Sequence, residues 1–152
     1  MYGALAVLLI VGLVWGGITA YRHFAPYYGL GYASGATGTV SDVTFTVDQA
    51  RCGLDSVPNS TAKPVKGQFC VVELRAVNNS DSERYLSLLQ FTVDLDRGVR
   101  ALPAQSAMRT LSTKLDAGES RRLMLVYDVW EGVRMDTLKV QIGFETANIP
   151  LV

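Results

Sequence analysis

Residues 2–20 read YGALAVLLIVGLVWGGITA and carry no charged side chain; no other feature restricts the chain as much. About 19 residues at ~1.5 Å rise each cover close to the ~30 Å hydrocarbon core of a bilayer. In hydrocarbon every backbone N–H and C=O must be bonded within the segment, so a single span has to be helical. A secretory leader would show a basic start, a shorter apolar core and a small-x-small cleavage site. Here no Lys or Arg precedes Arg22, and the first cysteine, Cys52, lies far beyond any lipoprotein cleavage point. A buried core helix would be shorter and would show a polar edge. The expectation is therefore an uncleaved, single-pass transmembrane helix over residues 1–21.

Gly12 and Gly16 form a GxxxG pair on that segment, and Gly17 widens the small surface. Small residues let a second helix approach closely where lipid supplies no hydrophobic drive. They suggest an integral membrane partner, although glycine is common in membrane helices without one. Residues 22–38 read as a juxtamembrane linker. Together with Tyr21, its rings Phe24, Tyr27, Tyr28 and Tyr32 suit the headgroup zone, with an apolar body and a polar tip. They fit a belt in membrane lipid, or a strip packed on a neighbouring subunit. Pro26 and the glycines end the helix, and the small residues 33–38 make a short hinge. So short a tether holds the remainder of the chain close to the bilayer.

The roughly 130 residues beyond the helix suffice for one compact domain. They hold all 14 basic and all 14 acidic residues of the chain. That balance argues against nucleic acid and against a polybasic grip on anionic lipid. From Thr39 the hydrophobic period changes to two. Val43, Phe45 and Val47 alternate with Thr44, Thr46 and Asp48; Cys70, Val72, Leu74 and Ala76 oppose Glu73 and Arg75. Residues 84–95 read as a third extended region, and Asp96-Arg97-Gly98 turns it into residues 99–102. Residues 78–81, all polar, read as a turn. After an irregular stretch, Leu123, Leu125, Tyr127 and Val129 alternate, and Leu138, Val140, Ile142 and Phe144 supply a last strand. About seven short strands without a long amphipathic helix predict an all-β, antiparallel β-sandwich over residues 39–152.

Cys52 and Cys70 enclose a loop of about 18 residues, for which a disulfide would contribute about 3 kcal/mol on the chain-entropy model. Two buried thiols, or two ligands of a metal site lacking companions, are the alternatives. The only histidine, His23, lies beside the membrane segment, so zinc would want for ligands. A bridge is the expectation, and it places the domain in an oxidising, extracytoplasmic compartment.

The runs GQFCVVELRAVNNSDSE (67–83), QFTVDLDRG (90–98) and LDAGESRRLMLVYDVWEG (115–132) resemble the DUF4352 immunoglobulin-like, telokin-like domains. The resemblance rests on a strand ending Val77-Asn78-Asn79, a Leu-x-x-Gly-Glu turn at 115–119 and a strand ending Val126-Tyr127-Asp128-Val129. It covers roughly residues 39–144. It implies an immunoglobulin-like sandwich in membrane-anchored, extracytoplasmic proteins of Gram-positive bacteria, notably actinobacteria, with Cys52 and Cys70 placed as in actinobacterial members. It implies no activity and no cofactor. Trp130 stands where the pattern would have a proline.

No catalytic residues emerge from the sequence. Triad chemistry needs a histidine in the domain. Asp94-Leu95-Asp96-Arg97-Gly98 starts like a calcium loop but lacks the later bidentate acid and holds an arginine. Met108, Met124 and Met135, without histidine, read as core or surface fill. The sequence thus predicts no enzyme, no cofactor and no metal. It predicts an accessory subunit of a membrane complex, of respiratory or transport class, with the helix docked and the sandwich on the outer face. A free, membrane-tethered module that binds a ligand or an envelope component is the second expectation. Orientation is contested: Arg22 weakly favours a cytoplasmic domain by the positive-inside rule, whereas a structural disulfide requires the outside. The disulfide weighs more, which puts the N-terminus in the cytoplasm.

Overall fold

The structure, a computed structural model, describes residues 35–151. The span expected over 1–21, with Gly12, Gly16 and Gly17, lies outside the described residues, as do Tyr21, Phe24, Tyr27, Tyr28 and Tyr32. No helix among the described residues is long and apolar enough to cross a membrane.

The described chain runs β1 (Thr37–Val40), β2 (Val43–Leu54), β3 (Gly67–Asn78), β4 (Arg84–Ser87), β5 (Phe91–Leu95), β6 (Arg100–Ala101), β7 (Ser112–Leu115), β8 (Ser120–Trp130), β9 (Met135–Ile142) and β10 (Glu145–Pro150). One sheet has the order β1-β2-β3-β8, the second β10-β9-β5-β6, and β4 with β7 forms a separate ribbon. The two-residue period decides which side chains go inside. Val43, Phe45 and Val47 of β2 are buried while Thr44, Thr46 and Asp48 are half-buried, because successive strand residues face opposite sides. The inner faces share one core: Phe45, Leu74, Leu125 and Tyr127 from the first sheet, Phe91, Leu138 and Ile149 from the second, Leu86 and Leu115 from the ribbon. Phe45 meets Phe91 edge to face, centroids 5.4 Å apart at 84°, an arrangement the ring quadrupoles favour. Burying each such side chain contributes roughly 1.5–3 kcal/mol. The architecture is the expected all-β antiparallel sandwich.

The β1–β2 hairpin turns on Ser41 and Asp42, both at positive φ (48° and 62°), a conformation two-residue hairpins need but that favours Asn or Gly. Glu145 compensates by accepting from the Ser41 amide at 2.7 Å and its hydroxyl at 2.9 Å. Gly38 sits where a Cβ would lie 2.8 Å from Ile149 Cγ1, so only glycine lets β1 lie this close to β10.

Several sequence expectations need correction. Phe144 does not continue the last strand: β9 ends at Ile142, Gly143 turns the chain at φ 61°, and Phe144 is 106% exposed. Residues 84–95 are not one extended region, because a 3-10 turn at Leu88–Gln90 carries the chain from the ribbon into the second sheet. Ser87 and Gln90 cap that turn reciprocally. Asn78, read as the first residue of a turn, is the buried last residue of β3. β1 begins two residues inside the stretch read as linker. β7 and β10 escape the pattern because STKL is mostly polar and β10 buries only Ala147 and Ile149.

Candidate functional site

Cys52 and Cys70 are joined in a disulfide, Cα atoms 4.0 Å apart. The bridge staples neighbouring strands of one sheet, β2 and β3, where their register is irregular between Arg51 and Leu54. It thus holds the ladder where hydrogen bonding alone is interrupted. Cys70 is fully buried, and Cys52 packs against the same core.

Two of the three motifs that carried the sequence resemblance, the end of β3 and the turn at 115–119, meet in space. Asn78 Nδ2 donates to the carbonyls of Ser82 (2.7 Å), Asp116 (3.0 Å) and Leu115 (3.3 Å). Its Oδ1 accepts from the Ser80 amide and hydroxyl. Its own amide donates to Glu119 O. One buried side chain therefore ties the turn after β3 to the turn before β8. Glu119 completes the second turn by accepting from the Asp116 amide at 2.8 Å. That bond, followed by Arg121, holds the Glu119 carboxyl below its usual range. Buried Gln68 bonds the carbonyls of Trp130 and Val133, and Asp128 accepts from the amides of Val65 and Lys66. Tyr127 is wholly buried, which pushes its phenol far above the usual range. Trp130 closes β8 half-exposed, with Lys66 Nζ 4.8 Å over its ring. These polar residues are occupied with holding turns and loops.

The outer face of the first sheet is different. Near the disulfide it is covered: Phe69, Val71 and Val126 pack under Val57 and Ala107. Further along β8 the cover ends. β7 and β8 leave the turn at 116–119 in different sheets, β7 pairing with β4 and β8 with β3. The wedge where they part is a groove of about 470 Å³. Its lining combines apolar Leu88, Met108, Leu123 and Met124 with Arg109, Lys114, Arg121 and Arg122, and includes no carboxylate. Lys114 is engaged with Glu83 (2.7 Å) and Asp116 (3.0 Å), which raises its pKa and, through the Lys114 bond first, lowers that of Glu83. Arg121 is engaged with Glu119, and its Nη1 donates to Thr113 Oγ1 at 2.8 Å. Arg109 Nε donates to Asn59 O at 3.4 Å. Among the described residues, neither Arg109 nor Arg122 forms an ion pair. Arg122 stands opposite Arg75 in the β3–β8 register, and Arg75 reaches Asp48 at 3.4 Å. A second shallow hollow of about 550 Å³, lined partly by Asp48, Glu73 and Arg75, shares Arg122, Leu123 and Met124.

The groove offers cationic donors and the hydroxyls of Thr110, Ser112 and Thr113. Among the described residues no group of three or more His, Cys, Asp or Glu could hold a metal ion. In the segment that resembled a calcium loop, Asp94 pairs with Lys139 (2.6 Å) and Arg100 (3.1 Å), and the Lys139 bond foremost lowers its pKa. Asp96 faces Arg134. Met135 is core, while Met108 and Met124 line the groove. The sequence pointed at none of the groove's four cations. Arg121-Arg122 was the one visible signal, hidden in a chain of zero net charge.

A family model described as a domain of unknown function, DUF4352, matches residues 32–149. No curated protein matches the chain. Two solved structures are similar in fold. A conserved hypothetical protein from Bacillus anthracis aligns at a TM-score of 0.55 and 19% identity, over 79% of this chain and 95% of that one. A secreted protein from Mycobacterium tuberculosis, MPT63, aligns at 0.50 and 17% identity, over 80% and 92%. At such identity the likeness concerns the fold alone.

Proposed function

Because the chain belongs to the DUF4352 family, whose description assigns no reaction, we propose a function from its own residues: a non-catalytic accessory subunit of a larger membrane protein complex. One helix over residues 1–21 anchors it, and the sandwich packs on the extracytoplasmic face of the complex. The observation that carries this reading is how the domain uses its polar groups. Both buried amide side chains among the described residues, Gln68 and Asn78, are spent on turns and loop ends, whereas arginines without carboxylate partners stand at an open groove. Such a surface suits docking better than chemistry. The uncharged run 2–20 and the glycines Gly12, Gly16 and Gly17 support an intramembrane partner. The disulfide supports an oxidising compartment.

Gentle detergent extraction followed by native mass measurement tests the reading. A particle heavier than the chain with its micelle is expected, and Gly12→Leu or Gly16→Leu should weaken co-purification without impairing insertion. A chain that extracts alone would favour the free, membrane-tethered binding module. Protease added to intact spheroplasts should remove the sandwich; full protection until lysis would place it in the cytoplasm.

A further inference from the structure

We infer that the groove between β7 and β8 receives an extended acidic peptide segment of a partner protein, which adds as a strand to the open edge of β8 at Arg122 and Met124. The inference rests on the docking reading above and names the surface and the chemistry of its occupant.

The backbone carries the first part of the argument. On the side away from β3, the Ala104 amide donates to Val126 O at 2.7 Å, and Pro103 bridges Tyr127. Backbone groups of alternate residues point to the same side of a strand, so the N–H and C=O of Arg122 and Met124 point to that same edge. Among the described residues nothing bonds them. The edge is therefore covered at residues 126–127 and bare at 122–124, where the groove opens. A bare edge offers alternating donors and acceptors, which a peptide backbone satisfies and a phosphate or sugar acid does not.

Charge carries the second part. Arg75 and Arg122 are directly opposite on adjacent strands, a placement that costs stability unless an anion intervenes. Asp48 serves Arg75, and nothing among the described residues serves Arg122. Arg109 also lines the groove and has no carboxylate partner among the described residues. Leu123, Met124, Met108 and Leu88 add an apolar lining. The complementary ligand is a strand alternating carboxylate and apolar side chains. Cations on an open edge also discourage self-pairing, so the test must separate that role from recognition.

The full chain is titrated with a short synthetic peptide alternating Glu and Val, its backbone N-methylated counterpart, a Lys/Val counterpart, and inorganic polyphosphate. Hydrogen exchange is followed at individual amides. The Glu/Val peptide should bind saturably and slow exchange at Arg122 and Met124. N-methylation, or the Arg109→Glu/Arg122→Glu pair, should weaken it by about tenfold or more, as loss of edge bonds or of paired charge predicts. Absence of saturable binding, unchanged exchange at both amides, or polyphosphate or N-methylated peptide binding as tightly as the parent would each overturn the inference. The native mass separates the two readings. A chain that co-extracts with a partner yet takes no acidic strand overturns only this inference. One that extracts alone yet takes the peptide overturns only the accessory-subunit reading.

Discussion

The two halves of β8 obey different rules. From Leu125 to Val129, residues 125–127 and 129 are buried, with Leu125, Tyr127 and Val129 in the main core and Val126 under the loop that carries Val57. The edge there is covered by Pro103 and Ala104, and Asp128 is occupied with the Val65–Lys66 backbone. From Ser120 to Met124, in the same strand, Arg121 and Arg122 are exposed, like charges face each other across strands, and the edge is bare. The first half follows every rule for stability and the second departs from two of them. Departures from locally stabilising choices concentrate where a surface serves something other than folding.

The sharpest way to break this contrast is to place the same charge in both halves. Val126→Asp would bury a carboxylate among Phe69, Val71 and Ala107 with no cation to pair it. A loss of about 3–5 kcal/mol is expected, the usual cost of an uncompensated buried charge, read from the urea midpoint. Arg122→Asp, on the same face, should not lower the midpoint at all. Equal losses would show that the halves do not differ.

Next in size is the disulfide. Cys70 lies opposite Tyr127 in the register, so the bridge backs the covered half. Cys52→Ala/Cys70→Ala should cost about 3 kcal/mol and speed amide exchange at residues 125–129 more than at 121–124. The reverse order would mean that the bridge supports the groove.

Asn78 acts at the other end. Asn78→Ala leaves the carbonyls of Ser82, Leu115 and Asp116 short of a donor and should cost about 2 kcal/mol, several modest bonds with partial compensation by water. Exchange should rise first in the turn at 116–119 and at residues 120–123. Uniform loosening of the whole domain would argue that Asn78 holds the fold rather than the launch of β8.

The covered half was legible in the sequence and the bare half was not, for a physical reason. Leu125, Tyr127 and Val129 announce themselves by period two, because one face of a sheet must be apolar wherever the other element of a sandwich packs on it. The disulfide was readable from two cysteines and the lack of other soft ligands. The meaning of Arg122 depends on its standing opposite Arg75, which is a matter of register, and on β7 and β8 parting into different sheets, which is tertiary. Neither leaves a periodic trace. Asn78 was misread for a related reason: a run of Asn, Asn, Ser and Asp signals a turn, and only the approach of the 115–119 turn buries its first member.

The smallest expected effect bears most directly on the bare half. If Arg75 and Arg122 repel, Arg122→Thr should raise stability by roughly 0.2–1 kcal/mol at low salt, the range for cross-strand pairs. Arg75→Thr should gain less, because it also leaves Asp48 without its cation. In a double-mutant cycle, Arg75→Thr/Arg122→Thr should then gain less than the two single changes summed, and that coupling should shrink as salt shortens the screening length. A salt-insensitive coupling, or a loss of stability on removing Arg122, would mean that its aliphatic stem is packing on Leu123 or Met124. In that case Arg122 would serve the fold as the covered half does. A salt-sensitive gain would mean that the folded chain carries an arginine it would be more stable without. A carboxylate arriving beside Arg122 on the open edge of β8 would then offset the repulsion.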